Sequence, residues 1–281
     1  MKLPHFLSAP IGGVARASAP VPDGDLIPTD AGTVLEIALD VGAETLRAGG
    51  EIHRVEDTVT RICRAYGAEA VDVFAITSLI TAEVRMPDGS FATRNRRVPS
   101  TYNHLARLEA VNALSRAICR RPISAAAVHS RLEEIHAYRP VPLWLCYIGG
   151  MLVAGGFAVF FGGNLWDGLA AAVISLFPTL FARFRPVHIN SMVKSLISCF
   201  AAGLLSVLCV TLGFGRNLDK IISGIIMLEI PGLSFSNALR DLLCGDTLAG
   251  TMRLIQAILQ ALVIALGYMA ALVLFNQQII G

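Results

Sequence analysis

A chain of 281 residues that is 54% hydrophobic, only 16% charged and of mean hydropathy +0.61 is composed as a membrane protein rather than a soluble one. Its 23 Lys and Arg against 21 Asp and Glu leave a net charge of +2, which gives no support to a nucleic-acid binder. Six scattered cysteines, Cys63, Cys119, Cys146, Cys199, Cys209 and Cys244, form neither a zinc spacing nor a disulfide framework. They read as small core residues, and no metal, redox group or cofactor is assigned.

Residues 1–29 carry Pro4, Pro10, Pro20, Pro22 and Pro28, and their one short apolar patch is interrupted by Pro4. This is a flexible leader rather than a secretory signal, so the domain behind it is expected to stay on the side where it was made. That domain, 30–139, is as charged as a soluble protein. Thr29 or Asp30 caps a first helix carrying Val34, Leu35, Leu39 and Leu46, which Gly49-Gly50 ends. A second helix places Ile52, Val55, Val59, Ile62 and Tyr66 on one stripe, with Arg54, Glu56, Asp57, Arg61 and Arg64 opposite. Residues 70–77 are β-branched and aromatic. Ile80, Ala82, Val84 and Met86 then alternate with polar residues, and after the Pro87-Asp88-Gly89-Ser90 turn residues 91–98 return as a hairpin. Two more helices, 104–120 and 124–138, complete a small α+β domain, which Arg139-Pro140-Val141-Pro142 joins to the apolar half.

The remainder, 140–281, reads as a membrane domain of five transmembrane helices at about 143–161, 165–182, 192–213, 221–243 and 254–275. Arg120, Arg121, Arg131 and Arg139 precede the first, Arg183 and Arg185 lie between the second and third, and Arg240 and Arg253 flank the turn into the last. Only Arg216 and Lys220 lie on the other side. The basic excess puts the N-terminal domain in the cytoplasm and the C-terminus outside. On the first span Gly149, Gly150, Gly155 and Gly156 offer a thin surface for helix association.

The fourth span is unlike a simple anchor. It carries Glu229, Pro231 and Gly232 near its middle and Asn237, Arg240 and Asp241 further on. Pro231 removes a backbone donor and crowds the carbonyl of Met227, so the helix is predicted to break close to the bilayer midplane. Irregular backbone at that depth survives only where it is buried in protein or lines a polar cavity, which points to a transport path.

Four stretches carry a family resemblance: G-A-E-T-L-R-A-G-G-E-I-H-R-V-E-D from Gly42, A-Y-G-A-E-A-V-D-V-F from Ala65, R-N-R-R-V from Arg94, and I-P-G-L-S-F-S-N-A-L-R-D-L-L-C-G-D from Ile230. In order, spacing and topology, from Val34 to Phe275, the chain resembles the N-terminal half of the threonine/serine exporter family. The family includes single long chains and split pairs, and this chain is similar to the larger, five-span subunit of a split pair. The resemblance implies export of small amino or carboxylic acids, threonine, serine or a dicarboxylate such as succinate, beside a second, smaller membrane subunit in the cytoplasmic (inner) membrane. Glu229 stands where an apolar residue is expected in relatives, so no role for it follows from the resemblance.

Past the break, the half-helix from Ser234 would aim free N–H groups and its positive dipole end at the midplane, a seat for a carboxylate. The substrate-binding candidates are Pro231, Gly232, Ser234, Ser236 and Asn237, and the coupling or gating candidates are Glu229, Arg240 and Asp241. Glu229 is the one acidic side chain placed deep in the span, and ionised it would cost several kcal/mol there, so it is expected to be protonated or paired. A kink in a packed helix, helix contact by Glu229, and interface anchoring by Arg240 and Asp241 are the alternatives.

Other residues carry less. Asp167 and Trp166 read as an interface pair, Lys194 as snorkelling, and Asn190 and Ser191 as edges of an inner vestibule. His53 and Cys63 lie about 15 Å apart along one helix, too far to act together, and no catalytic residue is assigned. His129, Glu133 and His136 share a face but lack a fourth ligand. Arg85, Arg94, Arg96 and Arg97 could meet lipid, gather anions or protect an edge strand. The rival to an exporter subunit is a regulatory or enzymatic cytosolic module that the spans merely anchor.

Overall fold

The computed structural model describes residues 27–137, 141–183 and 190–280, and the side chains of the same residues apart from 183 and 276–280. The expected leader as far as residue 26, the Tyr138 end of the fourth helix, residues 139–140 of the linker and Arg185 lie outside them. The chain divides into two compact units, Met1–Arg139 with Ser236–Arg253, and Pro140–Phe235 with Leu254–Gly281. A stretch of the apolar half thus belongs with the first unit.

In that first unit the helices α1 (Ala31–Arg47) and α2 (Ile52–Ala65) pack on a three-stranded antiparallel sheet, β1 (Ala70–Ile76), β2 (Leu79–Arg85) and β3 (Phe91–Arg97), in the order β1-β2-β3, and α3 (Leu105–Arg120) and α4 (Ala125–His136) pack against those helices. Asp30 starts α1 by accepting a hydrogen bond from the Thr33 amide at 2.8 Å. The β2 alternation is realised, with Ile80, Ala82 and Val84 buried and Glu83 and Arg85 exposed. Val71, Val84 and Ala92 align across the three strands. The core collects Val34, Leu35 and Leu39 of α1, Val55, Val59 and Ile62 of α2, Ile80 of the sheet, Val111 and Ile118 of α3, and Ala249 from the returning stretch. The β3 arginines meet α1, Arg94 facing Glu36 at 3.4 Å and Arg96 paired with Asp40, so edge protection describes these two better than a free basic patch. His129 lies 3.7 Å from Asp40 and His136 2.6 Å from the buried Glu44, so both histidines meet carboxylates of α1.

The second unit holds α5 (Leu143–Phe160), α6 (Leu165–Ile174), α7 (Leu176–Arg183), α8 (Ser191–Thr211) and α9 (Leu218–Glu229). The helix α10 (Gly232–Leu243) starts in this unit and ends in the first, whereas α11 (Thr247–Ile280) starts in the first and ends here. Among the described residues, four stretches are long and apolar enough to cross a membrane, and α9 with α10, a pair bent by 55°, makes a fifth if it is one span. The expected second span is present as Leu165–Ala182, with a single-residue interruption at Ser175 between α6 and α7, where Pro178 has no N–H for the carbonyl of Ile174. Ala154, Ala158, Ala171, Cys199, Ile221 and Ile225 form the core of this unit, while Leu152, Phe160, Leu262 and Leu266 are exposed, the surface a lipid solvent requires. Gly224 lets α9 lie against α5 so closely that a Cβ would stand 2.3 Å from the Ala154 oxygen. Gly150 and Gly155 receive α7 and α6, but Gly149 and Gly156 meet nothing within 4 Å, so the expected four-glycine surface is half used inside the chain.

Candidate functional site

The predicted break is present. Ile230 still donates to the Ile226 carbonyl at 3.1 Å, the Gly232 amide turns back to Ile230 at 2.8 Å, and Phe235 donates to Pro231 at 2.9 Å to begin α10. Glu229, the last residue of α9, accepts a hydrogen bond from the Ser198 hydroxyl of α8 at 3.0 Å. Ser198 is buried, and Lys194, one turn earlier on α8, lies close enough to bear on the Glu229 charge. The Lys194 ammonium also donates to the Ala182 carbonyl at 2.6 Å, an anchor more definite than snorkelling. Asn190 caps α8 by accepting from the Met192 amide at 3.0 Å.

Sequence reasoning missed a polar seam between α8 and α11. Ser191, Ser195, Ser198 and Ser206 recur at helical spacing on α8, and Gln260 and Tyr268 stand two turns apart on α11. Gln260 donates to the Ser195 hydroxyl oxygen at 2.8 Å, whereas the Tyr268 hydroxyl is buried with no hydrogen-bond partner. Serines one or two turns apart on an otherwise apolar helix were the available signal.

The remaining predicted residues belong to the first unit and meet the turn between α1 and α2. The Asn237 amide donates to the Gly49 carbonyl at 3.3 Å, and Arg240 pairs with Glu51 at 2.9 Å. Asp241 accepts from the Ile52 amide at 3.3 Å and pairs with Arg253 at 3.0 Å, while Arg253 also donates to the Gly50 carbonyl at 2.8 Å. The first amide of α2 has no cap from Glu51, so the carboxylate of Asp241 serves that helix end from 189 residues away. Gly49 is needed at its φ of +92°, where a Cβ would also stand 2.6 Å from the Asn103 side chain. The R-A-G-G-E-I and S-N-A-L-R-D stretches therefore meet in space. Among the described residues, Ser234 and Ser236 offer hydroxyls with no protein partner; Glu229 and Asp241 sit in separate units.

Asp167, expected beside Trp166 at the interface, is committed to protein partners. Trp166 is exposed, but Asp167 is wholly buried and accepts from the amides of Asn164 (2.9 Å), Arg216 (2.6 Å) and Asn217 (3.0 Å) and from the Asn217 side chain (2.8 Å). It ties the α5–α6 turn to the α8–α9 turn.

Several apolar helices with lipid-type surfaces, with a bent pair broken beside a carboxylate, mark a multi-pass membrane protein. Residues 36–275 match the family described as "Putative threonine/serine exporter", and the chain belongs to that family. It is 24% identical over 249 residues to "Probable succinate transporter subunit YjjP" of Escherichia coli K12, covering 86% of this chain and 95% of that protein. The protein of the same name from Klebsiella aerogenes is 23% identical over 246 residues, covering 86% of this chain and 94% of the relative. No solved structure gives a significant match.

Proposed function

We propose that this chain is one subunit of a secondary transporter that exports small amino or carboxylic acids across the cytoplasmic membrane beside a second, smaller membrane subunit. The α+β domain of 30–139 lies in the cytoplasm and the C-terminus outside. Family membership and the word "subunit" in the names of both relatives support this reading over a module that the spans merely anchor. The observation that carries it is Glu229, an ionisable group at the end of a broken span, held by a buried serine among apolar helices.

The solute's seat is the break itself: Pro231 and Gly232 open the backbone, and Ser234 in the first turn of α10 supplies a donor for a carboxylate, while Ser236 and Asn237 belong with the first unit, where Asn237 donates to Gly49. Glu229 is the coupling group. Its charge is costly in hydrocarbon, so gaining or losing a proton changes how strongly Ser198 and the solute are held. Arg240 and Asp241 act as the gate by holding the end of α10 to the 49–52 turn. Efflux of radiolabelled threonine and succinate is measured from cells expressing the chain alone and with the genes that flank it. Pro231→Ala and Glu229→Gln are each expected to slow efflux at least tenfold while the protein remains inserted; normal rates in both would remove the proposed seat.

A further inference from the structure

The ring of Tyr268 lies against α8, where glycines on both helices let α8 and α11 come close. A Cβ on Gly203 would stand 3.3 Å from Cδ1 of Tyr268 and 2.7 Å from Cβ of Ala271, and one on Gly267 would stand 2.7 Å from Cβ of Cys199. Tyr268 is only 4% exposed, and Glu229 and Cys199 are both close enough to bear on it electrostatically. Ser198 donates to Glu229, Gln260 to Ser195, and the Ser206 hydroxyl to the Ala202 carbonyl at 2.7 Å. The Tyr268 hydroxyl, by contrast, is buried with no hydrogen-bond partner. A buried hydroxyl without a partner is a standing cost to the fold that phenylalanine would avoid.

We propose that the Tyr268 hydroxyl is a solute-binding group, donating its hydrogen to the carboxylate of the exported acid. The assignment rests on the reading of the broken span as a transport path and adds to it a residue on a different helix, 31 or more positions past the expected seat. The hydroxyl of Tyr268 has a hydrogen to donate, which an oxygen of a carboxylate accepts, and Glu229 is left to accept from the hydroxyl or ammonium group of the same solute.

The test uses inside-out membrane vesicles containing the full-length protein and its flanking gene products, with uptake of radiolabelled threonine and succinate measured over a range of concentrations and pH. Tyr268→Phe is expected to raise KM about tenfold, the scale of one hydrogen bond to a charged group. Vmax and the shape of the pH profile should be kept, and the thermal midpoint of the purified protein should be unchanged or higher because an unsatisfied hydroxyl has gone. An unchanged KM overturns the assignment. A fall in Vmax with an altered pH profile and an unchanged KM also overturns it, since that is the signature of a proton relay. Loss of transport with a lowered thermal midpoint overturns it in favour of a structural role. Wild-type vesicles that take up neither solute overturn the transport reading beneath it, a result separable from the others because no variant is needed to see it.

Discussion

Asp241 and Glu229 are both carboxylates of the bent pair, yet their surroundings give them different work. Asp241 is 1% exposed; one of its oxygens accepts from Ile52 and the other faces, in an ion pair, Arg253, whose side chain is 11% exposed. Removing it leaves a nearly buried guanidinium without its counter-ion and uncaps α2, so Asp241→Ala should destabilise the protein by on the order of 3 kcal/mol. Asp241→Asn keeps an acceptor for Ile52 and should cost less; thermal unfolding in detergent, with hydrogen exchange at the Ile52 amide, separates the two. Glu56 gives a pH-dependent case. Burial holds its carboxyl above the ordinary value, despite a hydrogen bond from the Ala75 amide at 2.9 Å, and burial likewise raises Asp40 despite Arg96. The folded chain therefore keeps protons at these sites that the unfolded chain has released, so their contribution to stability falls as pH rises through and above the usual carboxylate range. Glu56→Gln retains the acceptor for Ala75 and loses the charge. Its stability relative to wild type should increase with pH across that window, and a difference independent of pH would refute the buried-charge account. Cys63, whose thiol burial pushes up to about 12, should resist alkylation in the folded protein.

Among the elements, α5 and α9 form the tightest pair because glycine and alanine leave nothing between their backbones. Gly224→Leu would drive a side chain into the Ala154 carbonyl and Ala158, and should cost about 1–3 kcal/mol or block insertion. Gly156→Leu adds the same bulk where nothing lies within 4 Å and should leave unfolding unchanged. Comparing expression and thermal midpoints of the two variants checks this. The break between α9 and α10 was legible in the order Glu-Ile-Pro-Gly, since the ring of Pro231 and its missing N–H act through the four preceding residues. The second span, 165–182, was legible as one apolar length, and Pro178 leaves only a local interruption at Ser175 inside it. The length of α11 was underestimated. Its 34 residues extend to about 51 Å, well beyond a hydrocarbon core of about 30 Å, and its first turns up to Arg253 belong with the sheet-bearing unit.

For the molecule as a whole, the two ends report how the bent pair is inserted. Five crossings put the N- and C-termini on opposite sides of the membrane, and a re-entrant pair would leave them on the same side. The basic residues near the N-terminal domain and at Arg240 and Arg253 favour the former. An alkaline phosphatase fused after residue 281 should be active and a fluorescent protein fused there dark, with the reverse at the N-terminus. A fluorescent C-terminal fusion would mean that α9 and α10 dip into the bilayer and return. The wholly buried Asp167 is a companion marker, because the turns it ties together, at Asn164 and at Arg216–Asn217, would face the same side as that phosphatase.

Amphipathic stripes, strand alternation, apolar lengths and the Pro-Gly step determined the elements of this protein by themselves, because each acts over a few neighbouring residues through sterics and solvation. Only the tertiary structure decided what the polar residues of the bent pair touch. It gives Ser198 to Glu229 and leaves Tyr268 without a partner. It spends Asn237, Arg240 and Asp241 on Gly49, Glu51 and Ile52, across separations of 188 and 189 residues. A hydrogen bond depends on where two groups arrive after packing, and no local period in the sequence records that distance.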